Sequence, residues 1–114
     1  MPKASLATKA LPVSAAKAVE LFGRDIAAAR IRRRIPQRLM AEKMMVSFDT
    51  VQRLERGDPG VGLGVVATAL WVLGLVGRLA TLASPDHDSI GKTEDINRLP
   101  RRVRTPASKT DLDF

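Results

Sequence analysis

The stretch Pro36-Gln-Arg-Leu-Met-Ala-Glu-Lys-Met44, then Met45-Val-Ser47, then Phe48-Asp-Thr-Val-Gln-Arg-Leu-Glu-Arg-Gly57 decides the fold. Pro36 suits the first turn of a helix, where its missing N–H has no partner to lose. Met40 and Met44 then share one face at i, i+4, with Ala41 beside them. Met45-Val46 is a short break, and Ser47 opens a further helix. Gly57-Asp58-Pro59-Gly60 must end that helix, because four helix breakers follow one another. With Phe48 at zero and about 100° per residue, Gln52 falls near 40°, Arg56 near 80°, Asp49 near 100° and Arg53 near 140°. Ser47, Thr50, Val51, Leu54 and Glu55 fill the opposite arc. The apolar side chains point one way and the base-reading types the other.

Working outward, Val19, Phe22, Ile26 and Ala29 recur at spacings of three and four and predict a helix from Ser14, as N-cap, to about Arg33. It ends before Ile35-Pro36, where proline disfavours a helical predecessor. On the other side, Val61 to Ala83 is the most apolar stretch, with Arg78 its only charge. It has the length of a membrane span, but Gly62, Gly64, Gly74 and Gly77 interrupt it, and Arg78 would need a buried partner. Two core helices, Leu63–Leu73 and Leu75–Ala83, broken at Gly74, explain it more simply. The expected organisation is a loose arm over 1–13, a helical domain over 14–83 and a polar extension over 84–114. The arm has no signal-peptide pattern. In the extension, Leu99, Arg101 and Val103 alternate with Pro100, Arg102 and Arg104, so 98–104 can form a short edge strand that could pair with a second copy or a partner.

Composition narrows the function. The chain has 114 residues with no Cys and one His, so disulfides, thiolate metal sites and cysteine nucleophiles are excluded, and His87 has no imidazole partner. No catalytic site, metal or cofactor is expected. The apolar fraction of 45% is enough for a core, and the net charge of +7 favours a polyanionic partner.

A helix, a second short helix, a tight turn and a third helix is the helix-turn-helix arrangement, in which the third helix enters the major groove and the second crosses the backbone. On the third helix, Arg53 and Arg56 can donate to guanine O6/N7 or to phosphates, Gln52 can pair with adenine, Phe48 can meet a thymine methyl, and Asp49 can accept from cytosine N4. Gln37 and Arg38 sit at a helix N-terminus that favours phosphate, with Arg32-Arg33-Arg34 adding positive potential. The alternative is a merely solvated helix face, which leaves Phe48 oddly exposed. Arg30, about 40° from Ile26, and Glu55, at the inner edge of the third helix, can form a partly buried structural ion pair.

Gln37-Arg-Leu-Met-Ala41, Val46-Ser47, Thr50-Val51 and Leu54-Glu55-Arg56-Gly57 resemble the Xre-type, lambda-repressor-like helix-turn-helix family over about Phe22 to Leu75. Gly57-Asp-Pro-Gly-Val61, Ala69-Leu-Trp-Val-Leu-Gly-Leu75 and Leu99-Pro-Arg-Arg-Val-Arg104 are similar to the HipB-like antitoxins encoded beside HipA-type kinase toxins. The resemblance implies a five-helix all-α domain that dimerises on a palindromic operator in double-stranded DNA. It implies DNA contacts from Gln37, from Ser47 to Thr50 and from Arg53, and a structural role for the Arg30/Glu55 pair. It also implies repression of the chain's own operon and inhibition of a HipA-like kinase. The family usually has glycine in the turn where this chain has Met45, a position strained for methionine if it needs φ > 0.

The leading expectation is therefore a cytoplasmic, homodimeric, non-enzymatic repressor and antitoxin. The alternative is a protein-interaction module that clamps a partner protein, with DNA binding secondary or lost. A third reading attaches the chain to a membrane through Val61 to Ala83.

Overall fold

In the computed structural model, residues 10–99 are described, and among them the chain is all α-helical, with no strand. The helices are α1 (Val13–Arg32), α2 (Gln37–Met44), α3 (Phe48–Arg56), α4 (Leu63–Leu73), α5 (Val76–Thr81) and α6 (Ser89–Arg98), with a 3₁₀ turn at Pro85–His87 before α6. The chain divides into two units, one ending at Leu79 and the other beginning at Ala80, so α5 runs across the division.

The first unit is built on one core. Ile26 of α1, Met40, Ala41 and Met44 of α2, Val51 and Leu54 of α3, and Ala69, Leu70 and Leu73 of α4 are all buried. Phe22, Ala29, Ile35, Val46, Val65, Val66 and Leu75 pack against that set from its rim. α3 lies against both α1 and α2, while α4 closes the other side against α2 and α1. The i, i+4 methionines of α2 thus face the core, as their spacing requires.

α1 and α3 meet at backbone distance. A Cβ added to Gly23 would sit 2.7 Å from the carbonyl oxygens of Leu54 and Glu55 and 2.8 Å from the Gly57 nitrogen. A Cβ on Gly57 would sit 2.6 Å from Glu20 Cα. Two glycines, one on each side, permit this approach.

Helices α1 to α4 all end in the same way. At each end one backbone N–H bonds three residues back and the next bonds five residues back, with a left-handed residue at the turn. The pairs are Arg34 to Ile31 and Ile35 to Arg30, Met45 to Glu42 and Val46 to Ala41, Gly57 to Leu54 and Asp58 to Arg53, and Gly74 to Trp71 and Leu75 to Leu70. Gly57 and Gly74 take φ of 77° at no steric cost, but Arg34 and Met45 take 58° and 59° with a Cβ to accommodate. The residue after three of these turns, Ile35, Val46 or Leu75, drops onto the core and locks the reversal.

Several boundaries differ from the sequence expectation. Pro12, not Ser14, stands at the N-cap of α1, with no side-chain cap, and Val13 is already helical. Pro36 is the N-cap of α2, with an extended ψ of 155°, rather than its first helical residue. The second core helix shrinks to Val76–Thr81 and buries no residue, because only Leu75 and Leu79 reach the core. The polar extension contains a helix that its composition hides: Ser84 caps Asp86 N–H, and Asp88 caps α6 by accepting from Gly91 N–H. Arg98 accordingly ends α6 instead of opening a strand, and Leu99 follows in an extended conformation. Arg101, Arg102, Val103 and Arg104, and the arm up to residue 9, lie outside the described residues.

In the second unit, no residue from Ala80 to Leu99 is buried. It is held by local bonds, including Lys92 Nζ to the Asp86 carbonyl at 3.2 Å and an Arg98–Glu94 pair at 3.5 Å.

Two substitutions in the first unit should move stability in opposite directions. Gly23→Ala forces α1 off α3 and should cost about 2–3 kcal/mol, roughly 10–20 °C in Tm for a domain of this size. Met45→Gly removes a left-handed Cβ while losing no packing, since Met45 is 90% exposed. Set against the greater chain entropy of glycine, it should stabilise by about 0.5–1 kcal/mol. Thermal unfolding by circular dichroism checks both.

Candidate nucleic-acid interface

α3 presents two different faces. Val51 and Leu54 are buried behind it, Asp49 and Arg56 are exposed in front, and Gln52 and Arg53 are half-buried between. Ser47 begins the helix as its N-cap, its Oγ accepting from Thr50 N–H at 3.1 Å and lying 2.8 Å from Thr50 Oγ1. That hydroxyl pair fixes the first turn, so Ser47 and Thr50 serve the helix itself.

Arg30 and Glu55 hold α3 to the rest of the unit. Arg30 Nε donates to Glu55 Oε2 at 2.6 Å, and Nη2 donates to Oε1 at 3.0 Å. The remaining arm, Nη1, donates to the Ile35 carbonyl at 2.9 Å, while the Arg30 carbonyl accepts from Ile35 N–H. Gln37 completes the cluster by donating through Nε2 to Glu55 Oε1 at 2.9 Å. The Arg30 guanidinium therefore ties α1 to the α1–α2 connection and to the last turn of α3, and Glu55 in turn holds the start of α2 through Gln37. Bidentate charge-assisted bonds of this kind are the strong ones. Gln37, expected to reach DNA, gives one of its two amide hydrogens to this cluster.

Two other residues expected to contact DNA, Phe48 and Arg53, also have partners within the chain. Phe48 is half-buried, and the Arg38 guanidinium lies over its ring, 4.2 Å from the centroid. It is a platform for a cation rather than a free apolar probe. Arg53 donates through Nε to Asp58 Oδ2 at 3.0 Å. Asp58 is the residue that sequence reasoning missed, having been treated only as part of a breaker cluster. Its other oxygen, Oδ1, accepts from Gly60 N–H at 2.8 Å. The Gly60 N–H first and the Arg53 guanidinium second hold its carboxyl below the ordinary value of 3.8. An Asp two residues before a glycine is a recognisable side-chain turn, and that was the available signal.

The exposed charges over this surface leave only a small positive excess, because Glu55 is buried and answered by Arg30 of α1. From Gln37 to Asp58 the chain carries Arg38, Lys43, Arg53 and Arg56 against Glu42, Asp49, Glu55 and Asp58. Exposed positive charge gathers instead at the end of α1, on Arg32, Arg33 and Arg34, where Arg33 also donates to the Ala29 carbonyl at 2.9 Å. No group of His, Asp or Glu among the described residues could hold a metal ion, and none of the described helices is long and apolar enough to cross a membrane.

Compared with known proteins, the chain matches no family model, no curated protein and no solved structure.

The Glu55 side chain is 8% exposed, so Glu55→Ala strands the Arg30 charge and the Gln37 amide together. The expected loss is about 3 kcal/mol, read as a lower urea midpoint with an unchanged slope.

Proposed function

We propose that the chain is a sequence-specific DNA-binding repressor with a lambda-repressor-like helix-turn-helix, in which α2, the Met45–Ser47 turn and α3 form the reading unit. The observation that carries this reading is α3, apolar behind at Val51 and Leu54 and polar in front at Asp49, Gln52, Arg53 and Arg56, fixed to α1 by the Arg30–Glu55 pair and to the start of α2 by Gln37. Arg38 at the start of α2 and the Arg32–Arg34 run supply the phosphate contacts that set register without reading sequence. The mechanism is promoter occlusion in the cytoplasm by a homodimer on two half-sites about one helical turn apart. No step is catalytic.

Within that reading, the resemblance to HipB-like antitoxins favours an autoregulating antitoxin of a HipA-like kinase module. The test is the neighbouring reading frame: a kinase encoded beside this chain in the same operon would support it, and its absence would remove it.

The second reading, a clamp for a partner protein, draws on two features. The α2–α3 surface has little excess charge, and the α4 side chains Leu63 and Trp71 are 69% and 65% exposed.

Salt separates the two readings. A DNA binder making about six phosphate contacts should lose roughly 10³-fold in affinity between 50 and 200 mM salt, measured on duplex from the chain's own promoter and accompanied by a footprint there. An apolar clamp should show a nearly flat salt dependence and no footprint.

A further inference from the structure

Arg53 is held in an unusual way for a side chain at a protein surface. The Gly60 backbone N–H orients the Asp58 carboxylate through Oδ1, and Oδ2 of that carboxylate takes the Arg53 Nε–H. The far side is closed by Gly60 itself, where an added Cβ would lie 3.2 Å from Asp58 Oδ1 and 3.5 Å from Arg53 Nη2. A backbone turn thus positions a carboxylate, which positions a guanidinium. The Arg53 side chain keeps 22% of its surface exposed, and no hydrogen bond to a described residue uses Nη1 or Nη2.

The chemistry of that arrangement is selective. With Nε occupied, the guanidinium can offer only its two terminal amino groups, as a planar pair of donors. The Asp58 charge beside it offsets the attraction for a phosphate, so an uncharged pair of acceptors is the better ligand. In the major groove, guanine presents two acceptors side by side at O6 and N7, whereas adenine pairs its N7 acceptor with an N6 donor. Because the rotamer is already fixed, little side-chain entropy is lost on contact.

We propose that Arg53 is a preassembled reader of a single guanine in duplex DNA, with Asp58 as its positioning residue. This rests on the DNA-binding reading above and adds to it the base that is read and the carboxylate that makes the reading selective.

The test is selection of the full chain on a randomised duplex DNA library, followed by affinities for the selected duplex and its single-base variants. Wild type should select one G·C pair per half-site at which guanine to adenine costs about 10- to 100-fold in affinity. Arg53→Ala should remove that preference while leaving the slope of log affinity against log salt nearly unchanged. A lost phosphate contact would instead lower the slope by about one. Arg53→Lys keeps the charge but not the planar fork, so it too should lose the preference.

Asp58→Asn keeps an acceptor for Gly60 N–H and should reduce the preference about 3- to 10-fold, with Tm and non-specific duplex affinity retained. That split is one a merely structural role for Asp58 would not produce. Selection of sites without the guanine, an unaltered guanine preference in any of the three variants, or a slope lowered by one in Arg53→Ala overturns the proposal and leaves the repressor reading in place. Failure of wild type to bind any duplex at low salt overturns both.

Discussion

The Arg30–Glu55 pair is the constraint on which the helical unit depends. Nearly shielded from water, it is the one place among the described residues where α1, the start of α2 and the end of α3 are tied by directional side-chain bonds rather than by packing. Apolar contact alone is non-directional and would tolerate a slide of α3 along α1. The ion pair forbids that slide, and the facing glycines set how close the two backbones lie. A buried charge pair contributes little net stability against a well-packed apolar substitute. Its value here is geometric, since the angle at which α3 is presented is what any groove-reading function needs.

The polar surface of α3 is largely self-satisfied. Glu55 answers Arg30 and Gln37, Asp58 answers Arg53, and Phe48 carries Arg38. Of the two cations on α3, Arg53 is paired with Asp58 and Arg56 is exposed. The excess positive charge of the chain lies mostly at the end of α1 and in stretches flanking the helical unit, including Arg101, Arg102 and Arg104. In the repressor reading, attraction and discrimination are therefore carried by different parts of the sequence.

Much of this architecture is legible in the sequence, and the residues show why some is not. The core face of α2, both ends of α3 and the break at Gly74 follow from periodicity, from Ser47 and from glycines at left-handed positions. Arg34 and Met45 occupy the same backbone conformation without glycine, and at Arg34 nothing in the residue types announces it. At Met45 the residue type gives no sign of it either. α6 escapes because it has no apolar stripe and buries nothing; only the capping residues Ser84 and Asp88 mark it. At the site, helical angles place side chains on the right face but do not say which are already bonded. The engagement of Gln37 by Glu55 and of Arg53 by Asp58 joins residues from different elements, or across a turn, beyond what periodicity describes.

The single tryptophan has a consequence for how this molecule reports on itself. Trp71 lies on the outer side of α4, while its neighbours Leu70 and Leu73 face inward. About two thirds of its surface already meets water in the native chain, so its emission should change less on melting than that of a core indole. What would shift it towards the blue is a second molecule seated over α4. The chain thus carries an intrinsic optical sensor for association at that flank, and one less responsive to its own unfolding.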